Sequence, residues 1–193
     1  FLDRMDSFWI LNKKRFLDKL DVMDASFCTT NPDILKFPKT KPIYFIPNPV
    51  DKSFEVLKNY KHKNLKNDVF FAMSHGVHRG VLKKGKFDIR ENFLTKLTNK
   101  LPNIKFDLYG VKNKQPIWAD NFLNVISQSK IALNLSQGAP SKHYTSDRFA
   151  QLIGNGLLVM IDKKTEISDF FKKNEIITYT DINDLSKKIE KFT

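Results

Sequence analysis

Two polar stretches of this chain carry the residue types that chemistry on an anion needs. The first is Ser74-His75-Gly76-Val77-His78-Arg79-Gly80-Val81-Leu82-Lys83-Lys84-Gly85-Lys86, which offers three glycines, two histidines and four cations directly after an apolar run. Glycines let backbone N–H groups approach a phosphate, and cations neutralise it. The second runs from Asn134-Leu135-Ser136 through Lys142-His143-Tyr144-Thr145 to Ser146-Asp147-Arg148. It ends in a helix start with Ser146 or Asp147 as N-cap. A helix N-terminus carries partial positive charge, so Lys142 and Arg148 beside it make an anion site with donors at several angles. The plain alternatives are an ordinary basic loop in the first case and a structural loop before a capped helix in the second.

Other chemistries find less support. The first loop lacks the Gly-Lys-Ser/Thr ending of a P-loop and does not read GxGxxG. His62, His75, His78 and His143 lack the i, i+4 spacing of a metal site, and no Cys-x-x-Cys is present, so no metal is expected. His75 and His78 remain as acid–base candidates by type and place alone. Nothing resembles a nucleophilic Ser or Cys–His arrangement. The single cysteine, Cys28, lies in the strand-like run Ala25–Thr29 and is expected to be buried filler. One cysteine cannot close an internal disulfide, which fits a reducing compartment.

The elements that must position these loops can be read from periodicity. Short apolar strands alternate with helices over Val69–Met73, Ile89–Lys100, Ile104–Tyr109, Ala119–Gln128, Ile131–Leu135, Ser146–Ile153, Leu157–Ile161, Ser168–Lys172, Ile176–Tyr179 and Ile182–Phe192. Continuously apolar strands between helices imply a parallel sheet covered on both faces. The fold class is therefore α/β, a Rossmann-like parallel sheet with helices on both faces, preceded by a partial N-terminal α/β segment. In such sheets ligands bind beyond the carboxyl ends of the strands, where both loops fall. Tyr109-Gly110 follows another strand and joins the candidate list.

Ahead of this block, a helix around Met5–Leu20, the Ala25–Thr29 strand, a short helix opened by Asn31-Pro32-Asp33 and the strand Ile43–Ile46 are too little for an independent domain. They read as the tail of one, and Phe1 at the start suggests a cut from a longer polypeptide. Pro47-Asn48-Pro49-Val50-Asp51 is a stiff hinge. The division expected is 1–50 and 51–193, with the polar run Lys52–Asp68 as surface.

The net charge of +12 comes from 33 Lys and Arg against 21 Asp and Glu. The lysines are spread along the chain, so a solvated surface is the first reading and a polyanion site the second. A nucleic-acid-binding module would need clustered basic and aromatic residues, which the sequence does not display. No apolar run approaches the ~20 residues needed to cross a bilayer. The location expected is cytoplasmic, with a basic face able to rest on the inner, anionic side of a membrane.

Phe45-Ile46-Pro47-Asn48-Pro49-Val50-Asp51 resembles the interdomain junction of two-domain glycosyltransferases of the GT-B type. Lys130–Ser136 and Tyr144–Leu158 resemble the donor-domain signature of bacterial family-1-type transferases, the spore-maturation-type group in particular. The resemblance covers roughly Asp24 to the end. It implies the C-terminal half of a GT-B fold that binds a nucleotide-diphospho-sugar donor and needs no further cofactor. It implies a glycan or lipid-linked acceptor, held by a largely absent N-terminal domain, and a role in cell-surface polysaccharide. Arg79 and Lys84 would meet the diphosphate. Tyr109 and Gly110 would border the base pocket, with Lys142 and Tyr144 in the loop before the helix. Ser146, Asp147 and Arg148 would hold phosphate or sugar. Gln151 stands where many relatives carry a ribose-binding glutamate, and His143 stands where retaining members carry another. A catalytically silent relative fits this departure too.

Overall fold

The structure, a computed structural model, describes residues 17–35, 40–74 and 87–193. Four of the candidates, His75, His78, Arg79 and Lys84, lie outside them, as does most of the expected Met5–Leu20 helix.

Five parallel strands form the centre, in the order β4-β3-β5-β6-β7: β3 (Asn67–Ala72), β4 (Phe106–Tyr109), β5 (Ser129–Asn134), β6 (Leu158–Asp162) and β7 (Ile177–Tyr179). Their register aligns the starts of the strands, with Asn67 opposite Ser129 and Ile131 opposite Leu158. Helices α2 (Ile89–Lys100), α3 (Ala119–Ile126), α4 (Asp147–Gly154) and α5 (Ile182–Phe192) cover the faces. The helix expected over Ser168–Lys172 is a 3-10 turn over Ile167–Phe170 instead.

Alternate strand residues go to opposite faces, so a strand buried on both sides must be apolar at every position. Val69, Phe71, Ile131 and Leu133 meet Leu94 and Leu97 of α2 and Leu185 and Ile189 of α5. Phe70, Ala72, Ala132 and Val159 meet Ile126 of α3 and Phe149 and Leu152 of α4. Full burial of each large side chain here contributes about 1.5–3 kcal/mol.

The preceding segment holds a helical end at residues 17–21, β1 (Ser26–Cys28), the one-turn α1 (Pro32–Leu35) and β2 (Ile43–Phe45). β1 and β2 pair in parallel as a separate two-stranded sheet, with Phe27 beside Tyr44 on an exposed face. Cys28 is half-buried rather than fully buried, although it faces away from the exposed Phe27; its thiol donates to Thr30 O at 3.0 Å.

The run Lys52–Asp68 is more than polar surface. Asn59 is buried, and its Nδ2 donates to Ile126 O at 2.6 Å and Ser129 O at 2.9 Å, satisfying carbonyls at the end of α3 and the start of β5. Asn155, also buried, accepts from Leu57 N and Asn59 N. These bonds stitch the connection along the amino edge of the sheet. Gly156 there has φ +83, and a Cβ would fall 2.7 Å from the Tyr60 ring. Only glycine fits that approach.

Candidate functional site

The order β4-β3-β5-β6-β7 reverses direction between β3 and β5. In open parallel sheets that reversal opens a crevice beyond the carboxyl ends of the two strands. Arg148, from the first turn of α4, fills its floor. Its Nη1 donates to Ala72 O at 2.6 Å, its Nη2 to Leu135 O at 3.0 Å, and its Nε and Nη2 to Asn134 Oδ1 at 3.4 and 3.2 Å. The guanidinium carbon also lies 5.3 Å from the centroid of the Phe71 ring. One planar fork thus ties the ends of both strands together, a geometry that lysine could not reproduce.

Asn134 is the centre of this arrangement and was not singled out from the sequence. It is 5% exposed, and its Oδ1 also accepts from Ser146 Oγ at 3.5 Å. Its signal was an amide breaking the apolar run Ile131–Leu135. Ser146 is the N-cap of α4, but its side chain makes no capping bond within the helix. Asp147 is exposed, and its Oδ1 accepts from Arg148 N at 2.9 Å. Gln151, one turn further on, is exposed on the same side of the helix as Asp147.

On the other flank of β3, Tyr109 ends β4. Its ring packs against Phe70, with 6.2 Å between centroids, and the Lys114 ammonium stands 3.6 Å from its centroid. Lys114 also pairs with Asp107 at 2.9 Å. Burial works against the charged ammonium, but the Asp107 carboxylate and Tyr109 outweigh it and raise its pKa. Gly110 has φ +68, and a Cβ on it would lie 1.9 Å from Met73 O. The loops leaving β3 and β4 approach so closely that no side chain fits between them.

The loop between β5 and α4 turns away toward β6. Tyr144 is buried, and Thr145 O accepts from Asn48 Nδ2 at 3.0 Å, so the segment around Asn48 is fastened just ahead of α4. Lys142 pairs with Glu166 at 2.6 Å, and that carboxylate raises the lysine's pKa. His143 Nε2 lies 2.9 Å from Asp169 Oδ2, with its ring against Phe45 and Phe170. His143, Glu166 and Asp169 bring possible ligand atoms within 4.8 Å of one another, a grouping that spacing along one helix could not reveal. The Lys142 ammonium already shares Glu166, which makes the group an ion-pair cluster.

The site residues therefore divide. Gly110 and Arg148 both touch the end of β3, with Tyr109 on one flank and Ser146, Asp147 and Gln151 on the other. Lys142 and Tyr144 belong to the neighbouring loop. Residues 90–193, more than half of the chain, match a family model described as glycosyl transferase-like. The chain belongs to that family. No curated protein and no solved structure matches it. The matched region of this glycosyl transferase-like chain runs from α2 to the end of α5. It contains every described site residue at the ends of β4, β5 and β6, and leaves out β3 and the N-terminal segment.

Proposed function

We propose that the chain is the donor-binding part of a glycosyltransferase that moves a sugar from a nucleotide-diphospho-sugar to an acceptor hydroxyl. The acceptor oxygen forms a bond to the anomeric carbon, the bond from that carbon to the diphosphate breaks, and the hydroxyl proton passes to a base. The observation that carries this reading is the convergence of Arg148, Ser146 and the start of α4 on the β3–β5 crevice, in a chain of this family.

In this reading the leaving diphosphate is neutralised by α4 amides and by cations rather than by a divalent metal. Arg79 and Lys84 supply cations on the strength of the sequence pattern, and Tyr109 borders the base. Asp147 and Gln151 offer hydrogen bonds to sugar or ribose hydroxyls; Gln151 does so as a neutral amide. Arg148, with several N–H groups donated to backbone carbonyls and Asn134, acts chiefly by positioning the crevice. Residues 1–50 belong to an acceptor-side domain for a glycan or lipid-linked acceptor. The setting is a cytoplasmic, GT-B-type enzyme of cell-surface polysaccharide assembly.

Titration calorimetry with a panel of UDP-, GDP- and dTDP-sugars tests the reading, with transfer measured in EDTA. One nucleotide class should bind, and Gln151→Ala should weaken it about tenfold through a lost ribose bond. No binding by any donor, in a chain shown to be folded, removes the proposal. The engagement of Arg148 by the protein favours a second reading, a donor-binding relative without catalysis. Donor binding with neither transfer nor hydrolysis would select it.

A further inference from the structure

The amino edge of the sheet, opposite the crevice, gathers cations that the sequence scatters. Lys66 and Lys105 immediately precede β3 and β4, and Lys100 and Lys191 lie in the last turns of α2 and α5. Lys61 and Lys63 line a shallow concavity completed by Ser127 and Gln128 at the start of β5. All six are exposed. The carboxylates nearby are Asp51, Glu55, Asp68, Asp107, Glu175 and Glu190; Asp107 is paired with Lys114, Glu55 accepts from Asp51 N, and Asp68 accepts from Lys105 N. Helix dipoles account for Lys100 and Lys191. They do not account for Lys61, Lys63 and Lys66, which belong to no α-helix.

Exposed aromatics stand at the same edge. Tyr60 lies against Gly156 at the start of β6, and Phe54 is next to the Glu55 that touches Gly154. Phe192 precedes Thr193, whose carbonyl accepts from Lys130 Nζ at 3.1 Å. The exposed Val50 and Val56 lie in the same connection. Lysines interleaved with exposed rings and aliphatic groups suit the boundary between anionic headgroups and acyl chains. Nucleic acid would use the cations and rings but has no use for the valines.

We infer that this amino edge seats the chain on an anionic lipid surface, leaving the β3–β5 crevice on the side away from the bilayer. No described helix is long and apolar enough to cross a membrane, so the contact is peripheral. The inference rests on the sheet topology and the surface, and not on the transferase reading.

The test is co-sedimentation of the full chain with phosphatidylcholine vesicles, with and without about 30 mol % phosphatidylglycerol. Binding should require the anionic lipid and fall away between about 0.1 and about 0.5 M salt. Lys61→Glu, Lys63→Glu and Lys66→Glu together should lower binding by about a hundredfold or more, since each lysine contributes roughly fivefold. Phe54→Ser with Tyr60→Ser should also weaken it, whereas Lys163→Glu with Lys164→Glu, at the opposite edge, should leave most of it. Three results overturn the inference: no binding to anionic vesicles, no loss with the triple variant, or equal loss with the opposite-edge pair. Lysine-dependent binding of random RNA without vesicle binding also overturns it. Donor calorimetry on the same samples is independent of every arm.

Discussion

Nη1 of Arg148 lies 2.6 Å from the carbonyl oxygen of Ala72, so the first turn of α4 is bonded directly to the last residue of β3. These residues are 76 apart in sequence. The same guanidinium holds Leu135 O just beyond β5, so one side chain fixes the width of the crevice where the strand order reverses.

Arg148→Ala is expected to destabilise the fold by about 2–4 kcal/mol, because it strands two part-buried carbonyls and leaves Asn134 Oδ1 with only the long contact from Ser146 Oγ. Arg148→Lys should recover only part of that, lacking the planar fork. Urea unfolding of both variants measures this. If the role is positional, Asn134→Ala should produce a parallel loss of stability and of donor affinity. A fully stable Arg148→Ala variant would contradict the assigned contacts.

Gly110→Ala meets two obstacles at once, a left-handed φ of +68 and a contact of 1.9 Å with Met73 O. A backbone oxygen cannot swing aside as a side-chain tip can. The expected cost is about 2 kcal/mol or more, read as a lowered thermal midpoint by circular dichroism. Unchanged melting would mean that the loops after β3 and β4 sit further apart.

Asn59→Ala removes the donors for Ile126 O and Ser129 O in a buried place. Two orphaned carbonyls should cost about 2–4 kcal/mol. Amide exchange should quicken most over residues 57–61, since this amide anchors the connection to the sheet. Uniform quickening across the chain would argue for a purely global effect.

The start of α5 should make stability fall in acid. Asp181 accepts from Asp184 N and Asn183 N at the helix start, and both bonds depress its pKa. Asp184 is depressed by its hydrogen bond to Lys188, against a smaller opposing effect of burial. A carboxyl with a lowered folded pKa contributes stability above its unfolded value and loses it as pH falls through the folded one. The loss should therefore appear below about pH 4. Asp181→Asn with Asp184→Asn should flatten that limb of a stability-against-pH curve by lowering stability at neutral pH toward its acid value. An unaltered acid limb would assign it elsewhere.

Much of this was legible in the residues. Strands such as Val69–Met73 are apolar at every position, and only a sheet covered on both faces buries both sets of side chains. Gly110 and Ser146 sit where the turn and the helix start fall. Asn134 and Asn59 were not legible as key residues, because a buried asparagine is known by its partners, and those lie far along the chain. The grouping of His143 with Glu166 and Asp169 escaped for the same reason.

The alternation of buried strands and helices, and the edge where their loops gather, could be read from the residues alone, since both follow from local periodicity and dihedral preference. Tertiary structure alone decided that Arg148 faces the strand ends and that lysines dispersed over the chain share one edge. In a parallel sheet every strand starts on the same side, so residues dozens of positions apart become neighbours there. No local pattern encodes that proximity; the pairing order of the strands creates it.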